Sequence, residues 1–131
     1  MKFVDTSFFV ALQFRRDRNH SQAQALWEQE RGALLTSNQV LGETWTFLRR
    51  RLGHPEACRF VAAVRTSTTM VVRTVDEELE VEAWRWLVRH DERPYSFVDA
   101  TSFTTMRRMR IREALAFDGD FSAAGFTEVR L

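Results

Sequence analysis

The sequence predicts an α/β protein: a three-layer α/β/α sandwich with a mainly parallel central sheet. Short apolar runs such as Lys2–Asp5 and Glu113–Phe117 alternate with amphipathic stretches of about 10–15 residues, the pattern of strand, crossover helix, strand. The connections are short and polar. Four carboxylates, Asp5, Glu43, Asp99 and Asp118, each fall at the end of a predicted strand or in the first turns of a predicted helix. Ligands of an open parallel sheet bind outside the carboxyl ends of its strands, so acids placed in this way converge on one pocket. With 131 residues the chain suits one domain, 1–131, and is too short for two ordinary ones.

Taken in order, Lys2–Asp5 reads as a short buried strand, with Thr6 or Ser7 capping a first helix through Phe8, Val10, Ala11 and Leu12. The charged stretch Arg15–Asn19 is a loop. A second helix spans His20–Arg31, turns Ala23, Leu26 and Trp27 inward, and stops at Gly32. Ala33–Thr36 is the next strand, and Ser37 caps a helix over Asn38–Leu52 in which Leu41, Trp45, Leu48 and Leu52 form one apolar stripe and Val40 with Phe47 another. Glu43 belongs to the second stripe, so it faces inward or lines a cleft. Gly53 ends that helix, Pro55 suits the first turn of the next, and Ala57–Val64 continues it.

Met70–Val75 is the third strand, and Asp76, Glu77 and Glu78 favour a helix start. That helix has two apolar faces, Leu79–Ala83–Trp86 and Val81–Trp84–Val88, and runs to about Arg89. After Pro94, Ser96 opens a helix to about Met109. Glu113–Phe117 is a strand, Asp118–Gly119 a turn, Phe121–Ala124 a short helix or turn closed by Gly125, and Glu128–Leu131 a last strand.

Hydrophobic residues make up 44% of the chain, with 11 Phe and 4 Trp, enough for a packed core and against disorder. Lys2 is the only lysine, so 18 of the 19 basic residues are arginine. Drawing several acids into one pocket leaves the rest of the surface positive, and arginine favours bidentate contact with phosphate. Cys58 is the single cysteine, which excludes an internal disulfide and a cysteine-rich zinc cluster and suits a small apolar packing role. No apolar run approaches the ~18 residues of a membrane span, and Asp5 interrupts any signal-peptide core. A soluble, cytoplasmic protein with no membrane partner is expected.

Each acid has a structural explanation of its own. Asp5 could start the first helix, Glu43 could pair with Arg50, Asp99 completes a Ser-x-x-Asp capping box with Ser96, and Asp118 before Gly119 is a turn signal. Their joint placement favours function: acids converging in a pocket cannot all stay ionised without a cation, and hard divalent ions take oxygen ligands. A magnesium or manganese site follows. There is no Gly-x-x-x-x-Gly-Lys-Ser/Thr run for a P-loop, and no late lysine for a phosphoaspartyl receiver or a haloacid-dehalogenase-like phosphatase. His20, His54 and His90 lack the i, i+4 pairing of a zinc hydrolase.

Phe3-Val4-Asp5-Thr6-Ser7, Glu43, Tyr95-Ser96-Phe97-Val98-Asp99-Ala100, and Ala114-Leu115-Ala116-Phe117-Asp118-Gly119-Asp120-Phe121 followed by Ala124-Gly125-Phe126 together resemble the PIN-domain ribonucleases, among them the VapC-type toxins of toxin-antitoxin pairs. The resemblance spans essentially the whole chain. It implies a metal-dependent endoribonuclease that hydrolyses RNA by metal-activated water, with Mg2+ or Mn2+ held by Asp5, Glu43, Asp99 and Asp118 and with Thr6 and Ser96 orienting the acids. Asp120 stands where such toxins often carry His or another polar residue, so it is an alternative fourth acid; its place before Phe121 also suits it to cap the short helix.

A homodimer and a cognate antitoxin inserted across the active-site groove are implied as well. Phe8, Phe9, Phe14, Trp27 and Trp45 are candidates to line that groove. Arg15, Arg16 and Arg18, Arg49–Arg51, and Arg107, Arg108, Arg110 and Arg112 are candidates to meet RNA. A catalytically weak PIN-like module that binds RNA or protein, or a nuclease acting on DNA, would use the same residues.

Overall fold

A computed structural model describes residues 1–131. Five strands form one sheet: β1 (Lys2–Val4), β2 (Leu34–Ser37), β3 (Met70–Arg73), β4 (Glu113–Leu115) and β5 (Thr127–Glu128), in the order β3-β2-β1-β4-β5. Every neighbouring pair is parallel, with Phe3 opposite Leu35 on one side and Ala114 on the other. Successive strand residues point to opposite faces, and Phe3 with Val4, Leu34 with Leu35, and Ala114 with Leu115 are all buried. Both faces are therefore covered, which gives the three layers the sequence predicts.

Seven helices supply the cover: α1 (Thr6–Gln13), α2 (His20–Gln29), α3 (Asn38–Leu52), α4 (His54–Thr66), α5 (Glu77–Arg89), α6 (Phe97–Met109) and α7 (Asp120–Ala123). Gly53, at φ 98°, turns the chain directly from α3 into α4 in a region closed to most side chains. Fully buried Phe103 meets Phe121 edge-on at 4.9 Å and Phe126 at 5.6 Å, which fixes α7 against α6.

Several sequence expectations are corrected. Cys58 is exposed rather than packed, because the inward face of α4 is taken by Ala57, Phe60 and Val64. Glu30, not Gly32, closes α2, and Trp27 lies at its rim, 38% exposed, with its ring near Phe8. The third strand ends at Arg73, and the last is Thr127–Glu128, limited by the residues of β4 available to pair with it. Phe8 and Phe9 are core residues, and neither lines the opening that holds the acids. On α5, Leu79, Ala83 and Trp86 are buried while Val81, Trp84 and Val88 face solvent.

Candidate active site

The chain lays down β1, β2 and β3 outward in one direction and then returns to place β4 on the other side of β1. Such a reversal opens a crevice at the carboxyl ends of the two central strands. Asp5 leaves β1 there, its N–H donating to Leu115 O of β4 at 3.1 Å. Its carboxylate is the N-cap of α1, with Oδ2 accepting the Ser7 N–H at 3.1 Å and the Ser7 hydroxyl at 2.7 Å. The same hydroxyl accepts the Phe117 N–H at 3.0 Å. Ser7 thus ties the end of β1 to the segment after β4, the supporting task expected of Thr6. Thr6 does not cap: its hydroxyl is buried with no hydrogen-bond partner.

Asp99 enters from α6. Ser96 and Asp99 form a reciprocal capping box, Ser96 Oγ accepting the Asp99 N–H and Asp99 Oδ2 accepting the Ser96 N–H, each at 2.9 Å. The cap orients the carboxylate instead of competing with a site role, since each oxygen has more than one lone pair. Asp118 follows β4, and its Oδ1 accepts the Asp120 N–H at 3.1 Å. Asp120 does not cap α7; Gly119 holds that position at φ 81° with no side-chain bond. Asp120 instead accepts from Arg93 Nε at 2.9 Å and Nη2 at 2.8 Å.

Oxygens of Asp99, Asp118 and Asp120 all lie within 4.8 Å of one another. Asp5, Glu43, Asp99 and Asp118 line one open pocket of about 370 Å³, with Arg18 and Phe47 at its rim. Glu43 is exposed on α3 and lines this cleft rather than the core, free of the Arg50 pairing that would explain it structurally. The structure therefore brings all four acids named from the sequence to one opening, and sets Asp120 beside Asp118 and Asp99.

The PIN domain description matches residues 2–127. Over 130 residues, 99% of this chain and 98% of the relative, the sequence is 58% identical to the 23S rRNA-specific endonuclease VapC20 of Mycobacterium tuberculosis. The chain belongs to the PIN-domain family, as a VapC-type ribonuclease toxin. The crystal structure of Mycobacterium tuberculosis VapC20, a sarcin-ricin loop cleaving toxin, superposes with a TM-score of 0.96 over 100% of both chains at 56% identity. A toxin-antitoxin complex from Klebsiella pneumoniae, 14% identical over 87% of this chain and 83% of its own, shares the fold with a TM-score of 0.59.

The electrostatics of this PIN pocket are those of acids lacking a countercharge. Burial, and then the charge of Asp118, push the Asp5 carboxyl up to about 8, although the two bonds from Ser7 pull it down. Burial raises Asp99 to about 6 against the Ser96 amide, with Asp118 and Asp120 adding repulsion. Asp118 is also raised, by burial first, with the neighbouring Asp120 and Glu128 charges adding to it against the Asp120 amide. No arginine, lysine or histidine forms an ion pair with Asp5, Asp99 or Asp118. An all-oxygen donor set with unbalanced charge fits a hard divalent cation.

Arg93 and Glu128 escape the sequence reading, and Ser7 enters it only as a candidate helix cap. Ser7 was visible as the hydroxyl two places after Asp5, but its second partner, Phe117, is 110 residues away. Arg93 precedes Pro94 in a stretch without periodicity, and Glu128 opens a segment that reads only as the last strand.

Proposed function

We propose that this PIN protein is a magnesium-dependent endoribonuclease, with manganese as a substitute, and that 23S ribosomal RNA is its substrate. The convergence of Asp5, Glu43, Asp99 and Asp118 on one pocket at the β1–β4 crevice carries the reading. The near full-length identity to a 23S rRNA-specific endonuclease supports the substrate.

Asp5, Asp99 and Asp118 would hold the ion, with Glu43 reaching it directly or through water and Asp120 reinforcing the negative field. When bound, the ion neutralises charge developing on the phosphodiester and makes water a better nucleophile at neutral pH. Ser7 holds the Asp5 carboxylate in line with the Asp118 segment, and Ser96 fixes Asp99. Arg18 at the rim and Arg93 beside Asp120 supply positive charge where RNA phosphates must pass an acidic opening.

The whole chain, 1–131, would act as a single nuclease domain in the cytoplasm; no helix is long and apolar enough to cross a membrane. A cognate antitoxin is the expected partner. A homodimer is supported by α5, which shows Val81, Trp84 and Val88 to solvent, begins with Glu77, Glu78 and Glu80 and ends with Arg89. Two antiparallel copies of such a helix bring acids over arginine while covering the tryptophan.

The test is cleavage of labelled 23S rRNA fragments and matched DNA under EDTA, Mg2+ and Mn2+. RNA cut only with a divalent ion, leaving 5'-phosphate ends, is the expected result. Cleavage of DNA in preference would identify a DNA-acting nuclease, and RNA binding without turnover under any ion would identify a binding module.

A further inference from the structure

Glu128 lies in β5, just outside the stretch matched to the family, and its side chain is only 3% exposed. A buried carboxylate is costly unless its oxygens are satisfied. Here both are. Oε2 accepts the Ser122 N–H at 2.9 Å, and Oε1 accepts the Gly119 N–H at 3.3 Å and an Arg130 Nη2 bond at 3.0 Å.

Gly119 directly follows Asp118 and, with Ser122, brackets Asp120, so one side chain holds the acidic loop from within. Arg130 completes the brace on the other side. Its Nη1 donates to Ala116 O at 2.7 Å, and its guanidinium sits 4.8 Å from the centre of the Phe117 ring. β5 is itself anchored, Val129 N–H donating to Ala114 O at 2.9 Å. The segment Ala116–Ser122 is thus gripped at its start by Arg130 and at its middle and end by Glu128.

We propose that the Glu128–Arg130 pair is a positioning device for metal binding, setting the turn that aims Asp118 and Asp120 at Asp99. It rests on the metal reading of the site. Glu128 meets neither ion nor RNA; it acts through the backbone amides on which the two aspartates are mounted. Partners behind the ligands of a metal site commonly govern affinity by roughly 10–100-fold.

Mn2+ titration calorimetry on the full chain without RNA, well below the melting temperature, measures this directly. Glu128→Ala is expected to weaken Mn2+ binding by roughly 10–100-fold. The Mn2+ concentration for half-maximal RNA cleavage should rise by the same factor, while kcat at saturating Mn2+ and the KM for RNA stay near wild type. Arg130→Met, which leaves both Glu128–amide bonds in place, should weaken binding by a smaller factor and serves as the decisive variant should Glu128→Ala fail to fold. Wild-type Mn2+ affinity in the folded variants overturns the proposal, as does a fall in kcat that saturating Mn2+ leaves unrestored. Asp118→Asn is the control for the reading beneath it. If Asp118→Asn weakens Mn2+ binding and Glu128→Ala leaves it unchanged, only the positioning role fails; if wild type and Asp118→Asn bind Mn2+ alike, the metal site and the proposal fall together.

Discussion

Buried beside Asp118, the Asp5 carboxyl is pushed up to about 8, whereas the unfolded chain releases the same proton near the ordinary 3.8. Between those values the ion-free folded protein binds more protons than the unfolded chain, so its stability falls as pH rises. The contribution of Asp5 is complete below about 3.8 and gone above about 8; Asp99, raised to about 6, adds to the same slope over the lower part of the window. In EDTA the folding stability should therefore drop from pH 5.5 to pH 8 by on the order of a few kcal/mol, read as a lower melting temperature at pH 8. Mg2+ should restore it at pH 8, and Asp5→Asn should flatten the slope while abolishing divalent-dependent cleavage. A melting curve that rises toward pH 8 without added ion would contradict the electrostatics of the pocket. Asp118 and Asp120 separate on similar grounds. Arg93 already neutralises part of Asp120, so Asp118→Asn should reduce the cleavage rate and Mg2+ affinity more than Asp120→Ala does at matched pH. Equal losses would mean that both acids serve the ion alike. Residues of this kind were legible from sequence where local grammar marks them: Asp5 closes an apolar run, and Asp99 stands three after Ser96. Ser7 and Glu128 were not, because their roles depend on which backbone amides the tertiary turn presents.

Helices were legible nearly to the residue wherever a cap and a stripe coincide. α3 begins after Ser37, whose hydroxyl accepts the Val40 N–H, and ends at Gly53, as its sequence predicts. Strand limits were less so, because a parallel strand extends only as far as its neighbour offers partners: β5 stops at Glu128 because it pairs with Glu113 and Ala114 alone. The capping box of α6 joins stability to the site. Ser96→Ala removes the hydroxyl that receives the Asp99 N–H, which should cost ~1 kcal/mol, seen as a fall of about 3–6 °C in Tm. Because Asp99 is then held by one bond fewer, the Mg2+ requirement for cleavage should rise as well. α5 permits an independent check at its solvent face, where Trp84 is 51% and Val88 85% exposed. If the proposed homodimer forms through this face, Trp84→Glu should yield monomers by light scattering at concentrations where the wild type self-associates, with only a modest fall in Tm at high dilution from the lost contact with the Phe97 ring, 4.5 Å away. Dimers that persist in Trp84→Glu would move the interface elsewhere.

At the scale of the whole molecule, a folded nuclease without its antitoxin should slow the growth of its host. Expression of the wild type is expected to arrest growth, Asp99→Asn to be tolerated, and co-expression of the neighbouring antitoxin gene to restore growth; equal growth of all three strains would remove the toxin assignment. The three-layer architecture was readable because the rhythm of strands and helices leaves few ways to stack them. The strand order was not, since nothing local records that β4 returns to lie against β1. That return separates possession of the acids from possession of the enzyme. A chain still short of Glu113 already contains Asp5, Glu43 and Asp99, yet it has no β4 to make β1 an interior strand, no Leu115 carbonyl to receive the Asp5 N–H, and no Phe117 amide to hold Ser7. The pocket therefore cannot close until the Glu113–Phe117 segment is present and paired with β1. The acids are thus spread along the chain, while the pocket they line belongs to the pairing of two strands more than 100 residues apart.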